Sequence, residues 1–223
     1  MELFFLKKKN LIFLIIISFL FIMNTLNIFF YTPMVPDQHW AQKIFYLHVP
    51  SAWVGFLSYF LAMISGIFFL LTKKEVWDSR GLASAEIGTI FMALVLITGP
   101  IWATPIWGKP WIWEPRLTTT LILFLTYVGY FMIRSFGGNM ERAKRIAASI
   151  AVIAFINVPI IFLSVQFWSP ELQSHPQVEM NQQPNGILVP FFFSLFVFSS
   201  IYFLMFAYRT HVISTKKNYN KHV

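Results

Sequence analysis

Long apolar runs separated by short polar segments dominate the chain. Each run is about 20 residues long, enough to cross a bilayer core of roughly 30 Å as a helix. Lipid offers no partners to backbone polar groups, and the runs do not alternate as barrel strands would, so helices are predicted. The six predicted spans are approximately residues 11–31, 51–71, 84–104, 117–133, 146–166 and 187–208.

Composition agrees with an all-α membrane protein. The 223 residues are 57% hydrophobic and only 12% charged, which is more apolar than an ordinary soluble domain requires. The length suits one integral membrane domain over residues 1–223 and leaves little room for a soluble one. The chain contains no Cys, which excludes disulfides and thiolate metal sites.

The N-terminus resembles a signal peptide, because Lys7, Lys8 and Lys9 precede an apolar run. That run extends to about Phe30, beyond the roughly 7–15 residues of a signal-peptide core, and no small-residue cleavage site follows. A retained first span is therefore predicted.

The basic residues predict the orientation of the spans. Fourteen of the 17 Lys and Arg residues lie on the N-terminal side of the membrane, and the others are Lys43, Lys109 and Arg116. By the positive-inside rule, both termini are predicted to be cytoplasmic. The net charge of +8 follows from this topology, so no nucleic-acid partner is expected.

A tryptophan-rich interfacial segment is predicted on the outer face between helices 3 and 4. It contains four of the eight Trp, namely Trp102, Trp107, Trp111 and Trp113. An ordinary aromatic belt would place Trp at both faces, whereas only Trp77 is predicted inside. Prolines recur every five residues from Pro100 to Pro115, which argues against a long regular helix through this segment.

Three of the five His residues lie in the predicted outer segments. His48 precedes predicted helix 2 and His175 precedes predicted helix 6, on the same face as the Trp segment. Neutral imidazole is a good iron ligand, and an iron with two axial positions needs two. Solvated loop histidines are the alternative interpretation, and His39 is an alternative to His48 as ligand.

Two outward cations, Lys109 and Arg116, lie inside the Trp segment. They can bind the carboxylates of a ligand, or they can simply extend along the membrane interface. Glu114 lies between them, can pair with Arg116, and has no second carboxylate in a comparable motif, so a catalytic acid is not indicated. Imidazoles, aromatic faces and cations together suit the iron, the macrocycle and the propionates of heme.

The motif Trp107-Gly108-x-x-Trp111-x-Trp113-Glu114-x-Arg116-Leu117-Thr118 resembles the tryptophan-rich signature of heme-handling proteins of cytochrome c biogenesis. The continuation Arg-Leu-Thr resembles one branch, the heme exporter protein C family. Residues 44–50 are similar to the segment of that family that contains the first heme ligand. Residues 157–175 are similar to the segment that leads to the second heme ligand. The chain departs from the pattern where Glu114 replaces Asp, and where Leu172-Gln173-Ser174-His175 replaces Leu-His-Gln.

The resemblance implies a heme chaperone of the bacterial inner membrane, not an enzyme, which holds heme b at the periplasmic face. Its implied partners are a membrane-anchored heme-carrying chaperone, ABC transporter subunits and a small single-span accessory subunit, besides the lipid bilayer. The residues it implies are His48 and His175 as axial ligands, Trp107, Trp111 and Trp113 as heme platform, and Glu114, Arg116 and Lys109 as motif acid and propionate partners.

Two other functions are compatible with the sequence. A heme ligase of cytochrome c assembly would be an enzyme, but such relatives are usually larger and carry additional His within their spans. A structural subunit of a membrane transport complex would need only an outer aromatic belt. A path of ionisable residues for transport is not predicted, because the notable polar groups in the first span are Asn24, Thr25 and Asn27, and Asn157 is the notable one in the fifth.

Overall fold

The computed structural model describes residues 8–36, 38–167 and 183–222, and these residues form seven α-helices. Trp168 and His175 lie outside the described residues. Helix α1 spans Lys8–Phe30, a 3₁₀ turn at His39–Ile44 leads into α2 at Phe45–Thr72, and α3 spans Glu75–Trp107; α4 spans Pro115–Phe136, α5 Met140–Ala154, α6 Asn157–Phe167 and α7 Asn185–His222.

Six stretches of the described chain are helices long and apolar enough to cross a membrane, which confirms the six predicted spans. The protein is therefore a multi-pass membrane protein. The helices are longer than the apolar runs, because several continue through charged turns beyond them. The orientation of the bundle in the membrane stays a prediction. The six stretches are Lys8–Phe30, His39–Thr72, Glu75–Trp107, Pro115–Phe136, Met140–Ser164 and Asn185–Lys217.

The fifth span is interrupted where α5 ends and α6 begins. Pro159 has no N–H to donate, so the chain cannot continue the regular bonding pattern across this point. The N–H of Val158 instead donates to the carbonyl of Phe155 at 3.0 Å in a tighter turn. Asn157 Nδ2 donates to the carbonyl of Thr119 at 2.7 Å, and this bond fixes the interruption to α4.

Helices α2 and α3 form the central pair, with the most extensive contact in the bundle. Their close approach depends on small residues at the interface, as is common between membrane helices. A Cβ placed on Gly88 would lie 2.8 Å from Ser58 Cβ, and one on Gly55 would lie 3.1 Å from Met92 Cε. The interface therefore has no room for a larger side chain at these two glycines.

The remaining helices pack on either side of this pair. Tyr59 of α2 stacks on Tyr127 of α4 with ring centroids 3.7 Å apart, within a core shared with α5 and α6. On the opposite side, α7 packs against both central helices, and α1 packs chiefly against α7. Asn24 Nδ2 of α1 donates to Ser194 Oγ of α7 at 2.8 Å.

The end of the bundle where α2 turns into α3 is called the ion-pair end here. Asp78 is 4% exposed and accepts hydrogen bonds from Arg134 Nη1 at 2.7 Å and Nη2 at 3.0 Å. Lys217 lies 2.6 Å from Asp78 and 2.8 Å from Glu75, and Lys144 lies 2.8 Å from Glu75. These contacts connect α3, α4, α5 and α7 through paired charges.

Helix α3 extends slightly beyond the predicted end of the third span at about residue 104. Helix α3 continues through Pro100 and Pro105 and ends at Trp107. Thr104 Oγ1 donates to the Pro100 carbonyl at 2.8 Å, a local side-chain bond of the kind that accommodates proline in membrane helices. The residue that caps the end of the helix is Gly108, whose φ of 69° is the left-handed conformation that glycine adopts readily.

The predicted third span contains one charged residue. Glu86 lies within residues 84–104 and pairs with Arg209 of α7 at 2.7 Å. A charged residue inside a span is stabilised by an opposite charge on a neighbouring helix. This pair links α3 to α7 and does not form a path through the bundle.

Candidate ligand-binding site at the tryptophan segment

A cavity of about 420 Å³ opens at the end of the bundle opposite the ion pairs, here called the cavity end. Its volume lies in the range of small-molecule and cofactor sites, about 300–1,000 Å³. Residues of α2, α3, α4, α6 and α7 contribute to its wall. The aromatic lining residues are Phe45, Trp53, Phe56, Trp102, Trp107, Trp111, Phe162 and Phe191, and the polar ones are Gln38, His48, Arg116 and Thr120.

His48 lines this cavity from the first turns of α2. The expectation that it precedes the helix is wrong, because α2 begins at Phe45 and Pro50 removes one intrahelical hydrogen bond without ending the helix. The imidazole Nδ1 lies 2.9 Å from Thr98 Oγ1 of α3. The ring also meets Trp102 edge to face, with centroids 5.6 Å apart. His48 is thus held against α3 by both polar and aromatic contacts.

The Trp segment places its aromatic side chains at two different depths. Trp107, the last residue of α3, and Trp111 both line the cavity. Trp113 is 74% exposed and lies outside the cavity lining, with its ring edge to face against Trp111 at a centroid distance of 5.7 Å. Lys109 is likewise exposed and outside the lining. The structure therefore brings two of the three predicted platform residues to the cavity wall.

Helix α4 begins beside the cavity and positions the motif's acid and its arginine. Glu114 is the N-cap residue, Pro115 occupies the first helical position, and Arg116 lines the cavity. The Glu114 side chain is 2% exposed, and its charge interacts with that of Arg116. A carboxylate at the helix N-terminus is also stabilised by the helix dipole. The buried carboxylate of Glu114 therefore stabilises the positive charge of Arg116 at the cavity wall.

Two indole N–H groups of the cavity lining have no hydrogen-bond partner among the described residues. These are the buried Nε1 atoms of Trp102 and Trp111. Buried polar groups in folded proteins are nearly always hydrogen-bonded, so such donors at a cavity wall are suited to a bound ligand. The cavity thus combines a flat apolar interior with a few polar groups on its wall.

The side chains at this cavity suit a metal ion whose cofactor supplies most of its ligands. Among the described residues, no group of three or more His, Asp or Glu side chains could hold a metal ion. A porphyrin supplies four nitrogen ligands to its iron, so the protein has to supply only axial ligands. His48 is the histidine of the cavity lining.

Thr98, Gly99 and Phe191 are site residues that the sequence did not indicate. Thr98 contacts His48, a Cβ on Gly99 would lie 3.3 Å from His48 Cε1, and Phe191 comes from α7. Thr98 lies four residues before Trp102, one turn away on the same helix face. The predicted third span contains both residues, so this spacing could have pointed to Thr98.

A family model described as heme exporter protein C matches residues 2–223. The chain belongs to the heme exporter protein C family. A heme exporter protein C of Bradyrhizobium diazoefficiens is 33% identical over 176 residues, which are 78% of this chain and 66% of that protein. The heme exporter protein C of Escherichia coli K12 is 30% identical over 170 residues, 76% of this chain and 69% of that protein. A mitochondrial protein of Marchantia polymorpha named for cytochrome c biosynthesis is 32% identical over 194 residues, 85% of this chain and 81% of that protein.

Membership in the heme exporter protein C family confirms the resemblance of the tryptophan motif. The names of the relatives concern heme export and cytochrome c biosynthesis, which are transport and assembly functions. The roles of individual residues in this member of the heme exporter protein C family stay predictions, and His175 lies outside the described residues.

Proposed function

We propose that this protein binds heme b at the periplasmic face of the bacterial inner membrane and delivers it to a membrane-anchored heme-carrying chaperone during c-type cytochrome biogenesis. The observation that carries the proposal is the position of His48 on the wall of a cavity built largely from aromatic side chains. The names of the relatives, which concern heme export and cytochrome c biosynthesis, support heme as the cargo.

Each part of heme has a suitable partner in this arrangement. His48 supplies one axial imidazole, and His175 supplies the second. Trp107 and Trp111 give the macrocycle aromatic faces, and Arg116 gives a propionate a cation that can donate two parallel hydrogen bonds.

The exposed residues of the motif serve the delivery step in this proposal. Trp113 and Lys109 lie outside the cavity lining and are accessible from the surface. Trp113 also contacts Trp111 of the cavity wall, so it connects the bound cargo to the surface. A heme-carrying partner that approaches the cavity end can meet both residues, with Trp113 extending the platform outward.

The proposed orientation places the cavity end in the periplasm and the ion-pair end in the cytoplasm. The basic residues support it, since Lys73, Lys74 and Lys217 all belong to the ion-pair half of the bundle. The proposed assembly includes ABC transporter subunits and a small single-span subunit. In this role the protein is a carrier of heme and performs no covalent chemistry on it.

The test is to purify the protein together with a heme-carrying chaperone and record the absorption spectrum of the bound heme. We expect a low-spin spectrum from two imidazole ligands, and its loss in His48→Ala and in His175→Ala. His39→Ala is the matched control, because His39 is exposed and lies outside the cavity lining. Heme binding that survives His48→Ala and His175→Ala, or that is lost with His39→Ala, contradicts the assignment of the ligands.

A second measurement separates delivery from catalysis. The heme-loaded protein is mixed with apocytochrome c and, separately, with the heme-carrying chaperone, and heme on each acceptor is measured. We expect transfer to the chaperone and no covalent cytochrome. Covalent cytochrome c formed by this chain alone would instead support a heme ligase.

A further inference from the structure

The contact between His48 and Thr98 determines which imidazole nitrogen carries the proton. His48 Nδ1 and Thr98 Oγ1 are 2.9 Å apart, a hydrogen-bond distance. Either atom can donate in principle, because a neutral imidazole has one N–H and a hydroxyl can both donate and accept. The other bonds of the Thr98 hydroxyl decide between the two arrangements.

Thr98 Oγ1 also lies 2.8 Å from the carbonyl oxygen of Leu94 and 3.4 Å from that of Val95. A carbonyl oxygen can only accept, so the 2.8 Å contact requires the hydroxyl to donate its single hydrogen to Leu94. The hydroxyl then has only lone pairs to offer His48, and Nδ1 has to be the donor. A neutral His48 is therefore the Nδ1–H tautomer, in which Nε2 carries the lone pair.

The surrounding packing holds this ring in place. Thr98 is 7% exposed, so water does not compete freely for its hydroxyl. A Cβ on Gly99 would lie 3.3 Å from His48 Cε1, which shows that the ring rests directly on the α3 backbone. Trp102 meets the ring edge to face. Contacts from three residues of α3 thus restrict both the position and the protonation of the His48 side chain.

We infer that Thr98 is a positioning residue that holds His48 as the Nδ1–H tautomer and makes Nε2 the nitrogen offered to heme iron. The inference rests on the proposed function, because it takes His48 as an axial ligand. A histidine that donates its other N–H to an acceptor is a better metal ligand, and loss of such a partner commonly weakens metal binding about 10- to 100-fold. Thr98 touches neither iron nor macrocycle in this arrangement and acts through His48.

The first test reads the tautomer directly in the heme-free protein. Nitrogen-15 NMR of histidine-labelled protein distinguishes protonated from unprotonated ring nitrogens, and His48→Gln identifies the His48 signals. We expect a protonated Nδ1 and an unprotonated Nε2 in the unchanged protein and in Thr98→Ser, which retains a hydroxyl. Thr98→Val should shift the population towards the Nε2–H tautomer. A protonated Nε2 in the unchanged protein overturns the inference.

The second test measures heme affinity and midpoint potential in the same variants. Thr98→Val should bind ferric heme about 10-fold more weakly and raise the midpoint potential, because a less basic imidazole stabilises ferric iron less. Thr98→Ser should restore both values towards those of the unchanged protein. Thr104→Val is the matched control, since the exposed Thr104 makes the same type of hydroxyl bond further along α3 and lies outside the cavity lining.

The variants separate failure of the inference from failure of the proposed function. If His48→Ala abolishes heme binding while Thr98→Val changes neither affinity nor potential, the role of Thr98 is refuted and the proposed function stands. If His48→Ala and Thr98→Val both leave heme binding unchanged, His48 is not a ligand and the proposed function fails with it. An effect of Thr104→Val equal to that of Thr98→Val attributes the change to helix stability and refutes the positioning role.

Discussion

The two ends of the bundle differ in how fully their polar groups are paired within the protein. At the ion-pair end, the buried Asp78 carboxylate is met by Arg134 and Lys217, and Glu75 is met by Lys144 and Lys217. At the cavity end, Arg116 lines an open space, and the indole N–H groups of Trp102 and Trp111 have no partner among the described residues. The charges of the ion-pair end are therefore paired within the chain, whereas the cavity end has hydrogen-bond donors available to a ligand.

The difference teaches which polar residues serve structure and which serve a ligand. A buried charge without a partner is strongly destabilising, so a network that pairs its charges connects several helices firmly. A binding site needs the reverse, since groups already bonded within the protein have little left for a ligand. Burial and pairing together therefore separate the two roles better than residue type does.

The largest expected effect comes from breaking the ion-pair end. Arg134→Ala removes both hydrogen bonds from Arg134 to Asp78 and should reduce the free energy of unfolding by about 3–5 kcal/mol. Unfolding in detergent measures this change. Arg142→Ala is the control, because Arg142 is exposed and such surface changes are usually within about 0.5 kcal/mol. Equal losses in both variants would show that the ion pairs are not what stabilises this end.

A smaller effect, on binding instead of stability, is expected at the cavity end. Arg116→Gln should weaken heme binding by about 10- to 100-fold, since a hydrogen bond to a charged group contributes about 1.5–3 kcal/mol. Heme dimethyl ester, which has no propionate charge, should bind the variant and the unchanged protein almost equally. Lys109→Gln serves as control, because Lys109 is exposed and outside the lining. A loss of ester binding equal to that of heme would contradict the role of Arg116 as propionate partner.

The smallest effect should distinguish the two depths of the Trp segment. Trp111→Leu removes an aromatic face from the cavity wall and should weaken heme binding about 3- to 10-fold, since such contacts contribute about 0.5–1.5 kcal/mol. Trp113→Leu should affect heme affinity less than Trp111→Leu does, and should affect the transfer of heme to the carrier more. Titration of each variant with heme, followed by transfer to the carrier, measures both. If Trp111→Leu lowers stability and leaves heme binding intact, the aromatic residues form only an interfacial belt.

The spans were predictable because the bilayer imposes a minimum length of apolar helix. The ends of the helices were less predictable, since Glu75, Asp78 and Lys144 lie in helical turns that are charged. Charged turns do not resemble membrane helix in a hydropathy pattern. They become helical here because each charge meets an opposite one on a neighbouring helix.

The candidate site was predictable in its residue types and less so in its arrangement. His48, Trp107, Trp111 and Arg116 were predicted, and the structure places all of them on one cavity wall. Thr98 and Gly99 were not predicted, because their roles exist only where α3 touches α2. The third span was predicted to end at about residue 104, whereas the helix continues to Trp107.

The peripheral position of α1 has a consequence for how freely its sequence can change. This helix packs chiefly against α7, and most of its apolar side chains are exposed on the surface of the bundle. Surrounding hydrocarbon does not distinguish Leu from Ile, Phe or Val, so we expect these positions to drift among apolar residues over evolution without selective penalty. Asn24 differs from these exposed positions, because its bond to Ser194 fixes the position of α1 against α7.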